Sequence, residues 1–92
     1  MAQVVITLKI MPESPDVDLF RIQREAESLI VDFAGKGKIK AEIEPVAFGL
    51  KAIKLIFVSD ENKSNLEPLE ESIKNIDGVE SVNVVDVRRG IG

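Results

Sequence analysis

The chain has 92 residues, 45% of them hydrophobic, which suits one compact domain with a single core. Charged residues make up 30% of the chain and give a net charge of −4, which argues against nonspecific binding of nucleic acid. Cysteine and histidine are absent, so disulfides, thiolate or imidazole metal sites and most nucleophile–base pairs are excluded. Composition therefore favours a binding module without metal or cofactor over an enzyme.

No apolar run approaches the roughly 20 residues that a membrane span requires. The N-terminus, MAQVV, has no basic segment and no cleavage signature typical of a secretory signal. We expect a cytoplasmic protein that makes no membrane contact.

The first third of the chain predicts a strand followed by a helix. Residues 4–10 alternate in polarity, and the prolines that follow end this strand because proline cannot donate to a ladder. Ser14 or Asp16 is expected to cap the helix, and Gly35 to end it. The helix is amphipathic, with one stripe of apolar residues at spacings of three and four: Leu19, Ile22, Ala26, Leu29, Ile30 and Phe33.

The middle of the chain predicts two strands joined by a tight turn. Charged and apolar residues alternate through 36–44, and residues 52–58 form the next strand, followed by a polar turn at 59–63. Between the strands lies Glu44–Lys51 (EPVAFGLK), whose proline, phenylalanine and glycine indicate a hairpin or a tightly bent pair. Phe48 either plugs a local hydrophobic gap or points into solvent, where only a partner would bury it.

Two groups of residues on these strands can each be interpreted in two ways. Lys36, Lys38 and Lys40 either guard an exposed sheet edge or contact an acidic partner. Ile56 and Val58, on an otherwise polar face, are either ordinary exposed residues or part of an interaction surface.

The last third of the chain predicts a second helix and a final strand. Residues 64–67 (SNLE) fit a capping box, in which Ser64 and Glu67 satisfy each other's backbone donors, and Asp77-Gly78 ends the helix. The apolar residues of this helix are Leu66, Leu69, Ile73 and Ile76. The valines of the last strand are Val79, Val82, Val84, Val85 and Val87, and residues 88–92 form a tail.

The element order is therefore β-α-β-β-α-β, an α+β, ferredoxin-like split βαβ sandwich. Right-handed crossovers give a four-stranded antiparallel sheet of order 4-1-3-2 with both helices on one face. We expect residues 1–92 to form this single domain. Phe48 and Arg89 then lie at opposite ends of the sheet, about 25 Å apart at the usual strand rise, so a partner that contacts both must be large.

This fold hosts many functions, and several chemistries are disfavoured here. The glycines form no phosphate-binding loop, and RNA-recognition domains stack bases on sheet aromatics, whereas Phe57 is assigned to the core. An acylphosphatase-like hydrolase is disfavoured because Met11–Ser14 is acidic and proline-rich. A small-ligand-binding or oligomerising domain that uses the sheet face remains an alternative. Arg88-Arg89 is either a solvated basic end or a functional one.

Three segments resemble the archaeal elongation factor 1-beta family, guanine-nucleotide exchange factors for the GTPase elongation factor 1-alpha. They are residues 4–18 (VVITLKIMPESPDVD), 44–55 (EPVAFGLKAIKL) and 78–89 (GVESVNVVDVRR). The second and third also resemble the C-terminal exchange domain of the eukaryotic beta subunit. Eukaryotic members carry additional N-terminal segments, so the chain resembles an exchange module alone.

The resemblance implies that the domain binds elongation factor 1-alpha, acts on its bound GDP and magnesium, and contacts no nucleic acid directly. It implies partner contacts for Phe48, Gly49, Lys51, Arg88 and Arg89, with no catalytic residue. Phe48 would pack on the partner. By position, Arg89 would approach the magnesium and switch region, where eukaryotic members have lysine, and either Arg88 or Arg89 would carry that role.

Overall fold

Four strands and two helices follow one another in the order β-α-β-β-α-β in a computed structural model, which describes residues 3–35, 37–60 and 65–89. The strands are β1 (Gln3–Pro12), β2 (Ile39–Pro45), β3 (Lys51–Asp60) and β4 (Val79–Arg89), and the helices are α1 (Leu19–Ala34) and α2 (Glu67–Lys74). All strand pairs are antiparallel, in the order β2-β3-β1-β4, which is 4-1-3-2 read from the other edge. The predicted fold class is confirmed.

The core lies between one face of the sheet and the two helices. Buried residues at alternate positions of β1 and β3 pack against the predicted stripes of α1 and α2. The fully buried members include Ile6, Leu8, Ile10, Ile22, Ile30, Ile53, Leu55 and Ile73. Phe57 is also buried, as predicted, so the opposite face of the sheet, called the open face below, carries no aromatic ring from it.

In strand β4, the residues that face the core change from even-numbered to odd-numbered half-way along the strand. Leu8 pairs with Val84, but the preceding Thr7 pairs with Asp86, so Val85 is the extra residue of a β-bulge. The valine pattern of the sequence carries this signal, because Val82 and Val84 are even-numbered whereas Val85 and Val87 are odd-numbered. Both odd-numbered valines are about half exposed.

Several element boundaries differ from the predictions. Asp18, and not Ser14 or Asp16, caps α1: its carboxylate accepts hydrogen bonds from the backbone N–H groups of Phe20 and Arg21. Ser14 instead accepts from the N–H of Asp16 within the preceding loop. Both predicted caps lie too early in the sequence, because the loop extends from residue 13 to Asp18 before α1 begins.

At the second helix, Ser64 of the predicted capping box lies outside the described residues. The Asn65 side chain accepts from the N–H of Glu67, which satisfies one first-turn donor. Strand β3 includes Ser59 and Asp60, which were predicted to begin a turn, because both continue the ladder opposite β1. None of the helices within the described residues is long and apolar enough to cross a membrane.

Gly78 is the point where the loop before α1 meets the turn before β4. Its carbonyl accepts from the N–H of Glu13, and Arg21 Nη2 donates to the neighbouring Asp77 carbonyl at 2.6 Å. Gly78 has a φ of +95°, and a Cβ added there would lie 2.8 Å from Val17 Cγ1. Only glycine fits this junction, because both its backbone conformation and its contacts exclude a side chain.

We expect Gly78→Ala to lower the free energy of unfolding by about 3 kcal/mol, from left-handed strain and overpacking together. Urea denaturation monitored by circular dichroism measures the change. Gly37→Ala is the matched control, since Gly37 has nothing within 4 Å of an added Cβ and no positive φ. A Gly78 variant as stable as the Gly37 variant would contradict this account of the junction.

Candidate partner-binding site

The connection between β2 and β3 is a left-handed turn. It comprises the 3₁₀ segment Ala47–Gly49, in which Phe48 has φ 61° and ψ 33° and Gly49 has φ +77°. The N–H of Leu50 donates to the Ala47 carbonyl at 3.2 Å, and the N–H of Val46 donates to the Leu50 carbonyl at 2.8 Å. Two successive residues with positive φ between antiparallel strands are typical of a type I′ hairpin turn. The predicted hairpin is confirmed.

Phe48 occupies the first central position of this turn, which asparagine, aspartate or glycine normally fills. It is the only non-glycine residue with positive φ among the described residues, and it is 94% exposed. The structure thus excludes the interpretation of Phe48 as a hydrophobic plug. The residue combines backbone strain with an aromatic ring held in solvent, two features that do not stabilise the free protein.

Gly49 and Lys51 lie beside the loop that connects β1 to α1. A Cβ on Gly49 would contact Pro15 Cγ at 4.0 Å, and Gly49, Pro15 and Lys51 line one small depression. The structure therefore brings together three of the predicted site residues, Phe48, Gly49 and Lys51. Lys51 begins β3 and is exposed.

Glu44 links the strand before the turn to two other strands on the open face. Its Oε1 lies 3.5 Å from Lys54 Nζ of β3, and its Oε2 lies 3.4 Å from Lys9 Nζ of β1. Glu44 Oε2 is buried and makes no hydrogen bond, so the charge of Lys9 compensates its desolvation. Sequence reasoning missed this cluster, because a row of alternating charges does not show which lysines a glutamate reaches across the sheet.

Arg88 and Arg89 lie in β4, not in a tail, and point to opposite faces of the sheet. Arg88 pairs with Val5 and Arg89 with Val4 in the register with β1. Arg88 therefore shares the open face and forms an ion pair with Asp86, with 2.8 Å between Nε and Oδ2. Arg89 faces the helix side.

The two parts of the predicted site lie at opposite ends of the sheet, as expected. Arg89 is opposite Val4, near the start of β1, whereas the Phe48 turn lies beyond the pair of Ile10 and Ile53, near its end. Eight or more residues at the usual strand rise separate them by about 26 Å or more. In the part of the chain that the structure describes, no cluster of three or more acidic side chains could hold a metal ion.

The Phe48 turn lies within residues 44–55, and Arg88 and Arg89 lie within residues 78–89. Both are segments whose sequence resembles a known family. Residues 5–89 match the family model described as the EF-1 guanine nucleotide exchange domain. The chain belongs to this family. Its role is guanine-nucleotide exchange in translation elongation, and the resemblance drawn from the three segments is confirmed.

Three relatives, each named elongation factor 1-beta, are similar to almost the whole chain. The protein of Methanothermobacter thermautotrophicus is 43% identical over 89 residues, 97% of this chain and 98% of the relative. That of Methanobrevibacter smithii is 44% identical over 89 residues, with the same coverage of both chains. That of Methanococcoides burtonii is 41% identical over 91 residues, 99% of this chain and 100% of the relative.

We expect Phe48→Asn to raise the free energy of unfolding by about 1 kcal/mol, because asparagine tolerates the left-handed conformation better than phenylalanine. Thermal and urea unfolding measure the gain. Ala47→Asn is the matched control, since Ala47 is exposed in the same turn but has no positive φ. Loss of stability in Phe48→Asn would show that the ring packs on the folded domain after all.

Proposed function

We propose that this chain accelerates GDP release from elongation factor 1-alpha by holding that GTPase at both ends of its sheet. The observation that supports this most is the exposed, left-handed Phe48. Its conformation destabilises the free protein, and its ring makes a favourable contact only when a partner covers it. The family and the relatives' shared name, elongation factor 1-beta, support the choice of partner.

Phe48 is the proposed anchor, with Gly49 and Lys51 beside it. Burying an aromatic ring that is almost fully exposed supplies binding energy at little cost in side-chain entropy. The ring is already held outward by the hairpin, so less conformational freedom is lost on binding. Lys51 would add a charge at the edge of the contact, where electrostatics affects association rate more than affinity.

Arg88 and Arg89 form the proposed effector end. Magnesium offsets the charge of the GDP phosphates, and a cation that enters the magnesium and switch region competes for the same acidic groups. Because the two guanidinium groups lie on opposite faces of β4, one alone would reach that region, and the resemblance favours Arg89. Exchange is then a coupling between two binding events: the factor prefers the GTPase without GDP or metal and so lowers its affinity for GDP. The chain would make or break no covalent bond and would not act as an enzyme.

Addition of the protein should accelerate the release of a fluorescent GDP analogue from elongation factor 1-alpha, in proportion to factor concentration until the complex saturates. Phe48→Ala should raise the half-saturating concentration about 30-fold, because the anchor is worth about 2 kcal/mol. Unfolding curves provide the control for folding. A release rate that does not respond to the wild-type protein would exclude the proposed function.

Arg89→Ala should lower the maximal release rate at saturating factor by at least about tenfold, since it removes a charge that acts on the bound nucleotide and not the anchor. Arg88→Ala is the comparison, with the same loss of charge on the opposite face, and should have a smaller effect. Arg89→Lys should retain part of the rate because the charge remains. Equal losses in both alanine variants would contradict a single effector arginine.

A further inference from the structure

A groove runs along the domain beside the Phe48 turn, between the first turn of α1 and the edge strand β2. It has a volume of about 380 Å³ and is lined by Asp18, Phe20, Gln23, Ile43 and Lys51, among others. Phe20 is 75% exposed and Ile43 is 47% exposed. We call it the Phe20–Ile43 groove. Two large apolar side chains that remain in solvent on facing elements form a surface that a partner can cover.

The groove is continuous with the proposed anchor. Lys51 lines both the groove and the depression beside Gly49, which is the neighbour of Phe48 in the turn. A partner surface that covers Phe48 therefore lies directly beside Phe20 and Ile43. The polar groups of the groove, Asp18, Gln23 and Lys51, are not buried, which does not match the few buried polar groups of a small-molecule pocket.

The charge around the groove indicates the chemistry of its occupant. Of the charged residues that line the groove, Asp18 is acidic and Lys51 is basic, and the loop that adjoins Asp18 adds two more exposed carboxylates, Glu13 and Asp16. None of these carboxylates takes part in the ion pairs formed among the described residues. An occupant with a cation beside an apolar side chain would complement this surface, whereas an acidic occupant would be repelled.

We propose that the Phe20–Ile43 groove receives an apolar side chain of the GTPase that is flanked by a lysine or arginine, as an extension of the Phe48 contact. This inference rests on the proposed function. The groove increases affinity and has no direct access to the nucleotide, because it lies at the end of the sheet opposite Arg88 and Arg89. Its variants should change the concentration dependence of exchange and leave the maximal rate unchanged.

Ile43→Thr tests the apolar part, with Val85→Thr as the matched control. Both are β-branched residues of edge strands, 47% and 49% exposed, but Val85 lies on the other edge of the sheet. Ile43→Thr should raise the half-saturating concentration for GDP release about fivefold, from the apolar area it no longer buries. Phe20→Ala should raise it at least as much. Val85→Thr should match the wild type.

Asp18→Asn tests the charge, because asparagine caps a helix about as well as aspartate and so preserves the start of α1. The half-saturating concentration should rise about threefold at low salt, and the difference should disappear at 1 M salt, where charges are screened within about 3 Å. If Asp18→Asn has no effect at any salt concentration, the inference that the occupant carries a basic residue beside its apolar side chain is wrong.

Three outcomes separate the possibilities. If the wild-type protein accelerates GDP release but Ile43→Thr behaves like Val85→Thr, the groove inference fails and the proposed function stands. If the wild-type protein has no effect on release, the proposed function fails. If sedimentation shows a wild-type dimer that Ile43→Thr dissociates, with exchange unchanged, the occupant is a second copy of this chain and the inference is overturned.

Discussion

The antiparallel pairing of β1 with β3 on one side and β4 on the other determines where every side chain of the site lies. The register with β4 places Arg89 opposite Val4 and Arg88 opposite Val5, at the start of β1. The register with β3 places the β2–β3 turn beyond the end of β1. A slip of one residue in the β1–β4 ladder would move each arginine to the other face of the sheet. The two-ended site is thus a direct consequence of register.

The Phe48 turn is stabilised from outside itself. Glu44 links β2 to β1 and β3 through two lysines, and Pro15 of the β1–α1 loop packs beside Gly49. That loop is in turn attached to Gly78 through the hydrogen bond from Glu13. A strained residue persists where its surroundings determine its conformation, and here those surroundings come from three separate segments of the chain. The conformation of the Phe48 turn thus depends on tertiary contacts.

The charges of the domain are distributed unequally between its ends. The β1–α1 loop, which lies beside the Phe48 turn, carries exposed acidic residues, and two arginines occupy the end of β4. Such a distribution orients a partner of complementary charge during encounter, within roughly a Debye length of the surface. The net charge of −4 therefore does not describe the C-terminal end of β4, which is basic. It argues only against nonspecific binding of nucleic acid to the whole surface.

Periodicity in the sequence was enough to predict the six elements and the core, because an apolar face must be buried whatever the details of the loops. The strand order followed from the right-handed crossover rule. The turn motif and the resemblance, and not periodicity, singled out Phe48, Gly49, Lys51, Arg88 and Arg89. The sequence misplaced the cap of α1, since several polar residues in the loop satisfy the same capping pattern. The left-handed conformation of Phe48, the opposite faces of the two arginines and the Phe20–Ile43 groove were decided only in the tertiary structure. Each of the three depends on register or on contact between distant segments, and none is encoded in local sequence pattern.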